Sequence, residues 1–164
     1  MKRMTHDEQI IVRIAQHLLS VGGRLATVES CTGGLIAAGV TDQAGSSDWF
    51  EGGWVTYSNE LKQALGVPAQ AIEQDGAVSE RVVRAMAEAG QRQAGVDYAV
   101  AVTGVAGPGG GSVEKPVGMV WIGWALAQQT HAECFQFDGD RAAVREQTVR
   151  AALSGLLERL ANEN

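Results

Sequence analysis

The run Leu25-Ala26-Thr27-Val28-Glu29-Ser30-Cys31-Thr32-Gly33-Gly34 passes from an apolar, partly β-branched segment straight into a turn bearing two glycines. Leu25 to Val28 reads as a short buried strand. Leu35 to Val40, directly after the turn, reads as an apolar helix. Strand, tight turn and helix in this order form the unit from which α/β folds are assembled. Ligands in such folds gather at the carboxyl ends of the strands, so the turn at Ser30 is also the first place to look for chemistry.

Outward from this unit the pattern repeats. Toward the N-terminus, Asp7 to Val21 carries Ile10, Ile11, Ile14, Leu18 and Leu19 at helical spacing, and Gly22 and Gly23 end it. Toward the C-terminus, Trp49 to Ser58 mixes aromatics, glycines and Val55-Thr56-Tyr57, and reads as a strand or a hairpin. Ser58 or Asn59 caps a short helix from Glu60 to Leu65, which Gly66 and Pro68 end. Ser79 caps a helix reaching Ala94, with Val82, Val83, Met86 and Ala89 on one face. Tyr98 to Thr103 is a buried strand, followed by the glycine-rich loop Gly104 to Ser112. Val117 to Ala127 and Thr130 to Phe137 read as two strands paired through a turn near Gln128-Gln129. Arg141 to Leu160 is a long amphipathic helix. The alternation predicts a three-layer α/β/α sandwich around a mixed, mostly parallel sheet, with one antiparallel member among the late strands.

The 164 residues fit one domain, taken here as residues 1–164. Hydrophobic residues at 45% and charged residues at 20% argue against intrinsic disorder. A net charge of -6 argues against nucleic acid as a partner, because phosphate binding needs a basic surface. No apolar run approaches the roughly 18 residues needed to span a membrane, and the polar start resembles no secretory signal. A cytoplasmic location is the default expectation. Cys31 and Cys134 cannot make a disulfide framework, and His6, His17 and His131 show no zinc spacing. Glycine, with 21 residues, is almost twice as frequent as the roughly 7% average.

Three features could carry chemistry. Ser30 sits where a buried strand meets a helix, and free N–H groups at the helix start could hold an anion or a developing oxyanion. Alternatively Ser30 only caps the helix. Tyr57 and Lys62 lie five positions apart beyond a strand end. A serine nucleophile needs a base, no histidine is placed to serve, and a lysine can do so if burial lowers its pKa. On spacing alone, a solvated lysine and a packed tyrosine are the better reading. The Gly104 to Gly111 loop has both ends fixed by strands, which favours a backbone-lined ligand cradle over a linker. It lacks the Lys-Ser/Thr ending of a Walker A loop, and the strand after it excludes a dinucleotide fingerprint. Arg141 and Arg145 are one helical turn apart, and either bind a phosphate or make surface pairs. Cys31 reads as a buried inert thiol.

Taken together, the motifs resemble the CinA C-terminal domain family, whose stand-alone members are PncC-type nicotinamide-nucleotide amidases. The matching stretches are Val28 to Gly34, Val55 to Lys62, Thr103 to Gly111, Lys115-Pro116-Val117-Gly118 and Gly139-Asp140-Arg141, in family order between His6 and Leu160. Val28 stands where alanine is common. The resemblance implies hydrolysis of the carboxamide of nicotinamide mononucleotide to nicotinate mononucleotide and ammonia. It implies a catalytic group on Ser30, Tyr57 and Lys62, and no metal or organic cofactor. Thr32, Gly33 and Gly34, or the loop beginning at Thr103 and Gly104, are expected to supply the oxyanion donors. Gly107, Gly109, Gly110, Gly111 and Ser112 are expected to hold the substrate phosphate, with Arg141 or Arg145. Many relatives carry an additional N-terminal nucleotide-processing domain, whose activity is not expected here. Trp49, Trp54, Trp121 and Trp124 in or near strands suggest a homodimer or larger assembly.

Overall fold

The structure, a computed structural model, describes residues 2–163. Its centre is a five-stranded sheet formed by β1 (Leu25–Glu29), β2 (Phe50–Val55), β3 (Tyr98–Gly104), β4 (Met119–Ala125) and β5 (Thr130–Gln136), in the order β2-β1-β3-β4-β5. β2, β1 and β3 run parallel, and β4 is antiparallel to both of its neighbours. Four strands therefore point one way and β4 the other, which is the antiparallel member expected. Trp49 to Ser58 resolves as the single strand β2, parallel to β1.

Helices cover both faces. α1 (His6–Val21), α2 (Leu35–Thr41) and α6 (Arg141–Ala161) pack on one side, and α3 (Asn59–Leu65), α4 (Ala69–Asp75) and α5 (Glu80–Ala94) on the other. The strand period of two sorts the residues between these cores. In β3, Tyr98, Val100 and Val102 face α1 and α6, whereas Ala99 and Ala101 face α5. Small residues on the second face let α5 lie close. A Cβ added to Gly90 would meet the Val28 side chain at 2.4 Å, so any larger residue there must lift α5 off the sheet. Burial of each large aliphatic side chain contributes roughly 1.5–3 kcal/mol, and Ile14, Leu18, Leu25, Ile36, Ile122, Leu153 and Leu156 are all nearly inaccessible.

Three expectations change. α4 was not anticipated, because its seven residues bury only Ala71 and follow Pro68 without a side-chain cap. Trp49 and Trp124 are core residues rather than interface material. Trp124 donates its indole N–H to the Ala152 carbonyl at 2.9 Å, lies under the Arg159 guanidinium at 3.7 Å, and is approached by Gly155 of α6. The tryptophan argument for an assembly then rests on the half-buried Trp54 and Trp121 alone. Leu19, although at helical spacing, faces solvent. Among the described residues no helix is long and apolar enough to cross a membrane.

The topology places the site. β1 and β3 are parallel neighbours with Glu29 opposite Val102, and Val55 at the end of β2 is also opposite Glu29. The loops leaving these three strands therefore emerge at the same end of the sheet.

Candidate active site

At the end of β1 the chain turns sharply through Ser30 to Gly34. The turn closes with hydrogen bonds from the Gly33 amide to the Ser30 carbonyl at 3.1 Å and from the Leu35 amide to the Thr32 carbonyl at 3.1 Å. Gly33 and Gly34 have φ of 60° and 102°, a region that L side chains rarely adopt. Glu29, 1% exposed, tucks its carboxylate beneath the turn. It accepts the Thr32 hydroxyl at 2.6 Å, the Ile36 amide at 2.9 Å and the Ala37 amide at 3.0 Å. A buried carboxylate is stable only with such donors, and the positive end of a helix favours it. The amides at the start of α2, expected to be open to a ligand anion, are thus occupied by Glu29. On the opposite side Arg145, from the first part of α6, donates from Nε to the Cys31 carbonyl at 3.1 Å and from Nη2 to the Thr32 carbonyl at 3.3 Å.

Lys62 reaches the turn from α3, whose N-cap Ser58 accepts the Leu61 amide at 3.1 Å. The lysine is 1% exposed and Ser30 8%. Nζ lies 3.0 Å from Ser30 Oγ, 2.7 Å from the Thr56 carbonyl and 3.2 Å from the Tyr57 carbonyl. Burial holds its pKa below the usual 10.5, because the charged form loses water. A neutral amine has two N–H donors and one lone pair. Two carbonyls match the two donors and leave the lone pair for the Ser30 hydroxyl. As an ammonium, the group satisfies all three positions by donation. Lys62 can therefore gain and lose a proton without orphaning a partner. Cys31 is buried beside the pair, and its thiol is pushed up to about 11 by burial, with the Glu29 charge adding to the rise.

Ser30, Cys31, Tyr57, Asn59, Lys62, Ala77, Val78, Thr103, Gly104, Ala106 and Arg141 line a cleft of about 190 Å³. Ser30, Lys62, Tyr57, Thr103, Gly104 and Arg141 are thus brought together. The Tyr57 ring is exposed, and its hydroxyl accepts from Arg141 at 3.3 Å rather than meeting Ser30 or Lys62. Arg141 also donates to the Gly107 carbonyl at 2.8 Å. Thr103 donates its hydroxyl to the Ala77 carbonyl at 2.9 Å. Thr32, Gly33 and Gly34 do not line this cleft, and neither do Gly107, Gly109, Gly110, Gly111 and Ser112. Ser112 instead closes a turn with Lys115, accepting its amide at 3.0 Å. A neighbouring cleft of about 650 Å³, lined by Pro108, Val117, Gly139, Asp140, Arg141, Ala142 and Arg145, shares Arg141 with the first.

Asn59, Ala77 and Val78 were missed by sequence reasoning. Apolar positions before a helix carry no chemical signal. Asn59 reads in the sequence as a helix cap within the Val55 to Lys62 stretch, with no role in the site. Glu29 did leave a signal: a lone carboxylate inside a buried strand, three residues before a threonine.

The CinA C-terminal domain family matches residues 7–160. The chain belongs to this family. A member from Pseudomonas putida named nicotinamide-nucleotide amidohydrolase PncC is 53% identical over 150 residues, covering 91% of this chain and 94% of that protein. A longer CinA-like protein of Akkermansia muciniphila is 49% identical over 154 residues, covering 93% of this chain and 36% of its own length. The crystal structure of a competence-damaged protein (CinA) superfamily member from Klebsiella pneumoniae superposes with a TM-score of 0.92 at 39% identity, covering 97% of this chain and all of that one. The CinA C-terminal fold is therefore the α/β sandwich described above, with the Ser30 turn at the shared end of β1, β2 and β3.

Proposed function

We propose that this chain hydrolyses the carboxamide of nicotinamide mononucleotide, giving nicotinate mononucleotide and ammonia, with Ser30 as nucleophile and Lys62 as its base. The observation that carries the reading is the 3.0 Å contact between Lys62 Nζ and Ser30 Oγ, with both groups buried and the lysine pKa lowered. The similarity to nicotinamide-nucleotide amidohydrolases along nearly the whole chain supports the substrate.

Neutral Lys62 takes the Ser30 hydroxyl proton as Oγ bonds to the amide carbon. The carbonyl oxygen becomes an oxyanion, held by the amide of Cys31, which lines the cleft, and by the Thr32 amide that follows it in the turn. The C–N bond then breaks, and the leaving nitrogen takes the proton from Lys62 and departs as ammonia. A water gives its proton to Lys62 and attacks the ester carbon. Collapse returns the proton to Ser30 and frees the carboxylic acid, which loses its proton to water as the carboxylate. Tyr57 completes the group: its carbonyl helps aim Lys62, and its hydroxyl orients the substrate at the mouth of the cleft.

The smaller cleft takes the reacting ring, and the neighbouring larger one takes the ribose and phosphate. Arg141, at their junction, and the Gly107 to Ser112 backbone, exposed from Pro108 onward, bind the phosphate. The test is ammonia release from nicotinamide mononucleotide, its phosphate-free nucleoside, free nicotinamide and glutamine. The mononucleotide should give the highest kcat/KM. Preference for another carboxamide would overturn the substrate, and no release from any of them would indicate a binding module without turnover.

A further inference from the structure

Arg145 crosses from α6 to the nucleophile turn, although 114 residues separate it from Cys31. Its helix is fixed on both sides of it by buried Val144 and Thr148, the latter donating its hydroxyl to the Val144 carbonyl at 2.7 Å. The guanidinium forks onto two consecutive carbonyls, those of Cys31 and Thr32. A position for a Cβ on Gly33 lies 3.5 Å from Nη2, so the arginine packs directly over the turn.

The direction of these bonds matters. In a trans peptide the C=O and the following N–H point in opposite directions. Drawing the Cys31 carbonyl toward Arg145 turns the Thr32 N–H away from it. Drawing the Thr32 carbonyl the same way fixes the Gly33 N–H, which holds the Ser30 carbonyl at 3.1 Å. That in turn sets the Cys31 N–H. One side chain therefore bears on the orientation of both amides that follow the nucleophile, together with the turn bonds and the Glu29 contact to Thr32. A cation on the carbonyl also polarises the peptide and strengthens its N–H as a donor.

We infer that Arg145 is a positioning residue for the oxyanion site: it orients and polarises the Cys31 and Thr32 amides, and does not bind the substrate phosphate. The inference rests on Ser30 being the nucleophile, as proposed above.

The experiment compares wild type, Arg145→Ala and Arg145→Lys. It measures kcat and KM on the mononucleotide and on its phosphate-free nucleoside, the rate of Ser30 labelling by an organophosphonate, and the melting temperature. A lysine keeps the charge but cannot fork to two carbonyls. Loss of an oxyanion donor costs on the order of 10²–10³ in kcat, so misaimed donors should cost about 30- to 300-fold. KM should stay within about threefold on both substrates, labelling should slow in parallel with kcat, and the melting temperature of Arg145→Lys should match wild type. A KM increase confined to the mononucleotide, or an unchanged kcat, would overturn the inference. Where the alanine variant does not fold, Arg145→Lys and the phosphonylated wild-type structure decide. Its phosphoryl oxygen should lie about 3 Å from the Cys31 and Thr32 nitrogens, and an oxygen on the Gly104 loop instead would refute the assignment. A wild type that labels at Ser30 yet releases no ammonia defeats the proposed substrate and leaves the labelling arm to judge Arg145. No labelling of wild-type Ser30 defeats both.

Discussion

Two glycine-bearing loops leave adjacent parallel strands, and they are held in opposite ways. The turn after β1 is gripped from three directions: by Glu29 beneath, Arg145 from α6, and Lys62 at Ser30 Oγ. The loop after β3 packs closely at Gly104, Gly107 and Gly111, where an added Cβ would meet Val120 at 2.6 Å, Val117 at 2.4 Å and the Val117 nitrogen at 2.9 Å, and is open at Gly109 and Gly110. Pro108 to Ser112 are exposed and are held by the Arg141 bond to Gly107 and the Ser112–Lys115 turn. Both loops use glycine, the first to turn sharply and the second to keep its backbone bare. The difference is that between bond-making and binding. A reacting atom must be placed to within a fraction of an ångström, whereas a phosphate can be met by an adaptable loop.

The largest effects should follow from removing the chemistry of the first loop. Ser30→Ala should abolish ammonia release while circular dichroism and melting stay near wild type. Lys62→Ala should fall nearly as far, by ~10³-fold or more, because the two groups act as a unit. Lys62→Arg should not rescue, since a guanidinium stays charged and cannot accept the proton. The wild-type rate should rise with pH, because only neutral Lys62 is a base and its pKa is lowered by burial. Stability has the same sign. Between the lowered value and 10.5 the unfolded chain holds a proton that the folded chain has released, so the burial penalty shrinks as pH rises through that window. A rate that falls across that range would break the assignment of Lys62 as base.

The second prediction tests the tight start of the other loop against its exposed part. A Cβ on Gly104 would lie 2.6 Å from Val120 Cγ2 and 2.9 Å from the Met119 carbonyl, whereas a Cβ on Gly109 would meet nothing within 4 Å. Gly104→Ala should cost about 1–3 kcal/mol by overpacking, and Gly109→Ala within about 0.5 kcal/mol. Urea titration of both variants measures this, and equal losses would show that the loop is held along its whole length.

The same contrast explains what was legible in the sequence. The strand, turn and helix around Ser30 are local, so Leu25 to Val40 could be read directly. Ser58 and Ser79 as caps, and the paired late strands, are local too. Glu29 and Arg145 were not read as braces of the turn, because their partners depend on strand facing and on the rotational setting of α6. Lys62 was ambiguous, since a lysine at that spacing is usually solvated, and only the fold buries it. The mixture of aromatics and glycines in Trp49 to Ser58 left strand and hairpin open, and the chain forms one strand parallel to β1 with a register shift between Phe50 and Gly52. Ala77 and Val78, between α4 and α5, enter the cleft through the packing of α5 on β3 and the Thr103 bond to the Ala77 carbonyl.

A smaller effect is expected at the joint between the loops. Arg141 ties the Tyr57 hydroxyl to Gly107 and lines both clefts. Arg141→Ala should raise KM for the mononucleotide about three- to tenfold, the loss of one exposed charge-assisted contact. kcat should fall less, and KM for the phosphate-free nucleoside should hardly move. An equal rise on both substrates would assign Arg141 to loop structure and leave the phosphate to the backbone alone.

The smallest effect is expected at Cys31, although it adjoins the nucleophile. A thiolate is intrinsically the better nucleophile, so proximity alone would favour it over Ser30. Its surroundings argue otherwise. Burial and the nearby Glu29 charge push the thiol up to about 11, so it is neutral at ordinary pH. Lys62 Nζ is directed at Ser30 Oγ, not at the sulfur. Neighbouring side chains on a tight turn also point apart, and one carbonyl carbon cannot face both. What the site needs from Cys31 is its backbone, the carbonyl under Arg145 and the amide beside the oxyanion. Alanine keeps both. Cys31→Ala should therefore retain kcat within about threefold and cost about 1 kcal/mol of stability for the lost buried sulfur. Ammonia release and thermal melting of Cys31→Ala beside Ser30→Ala read this directly. Activity lost in the first and kept in the second would move the nucleophile by one residue. The turn would then be a brace for a thiol, and its three grips would have to be explained again from that sulfur outward.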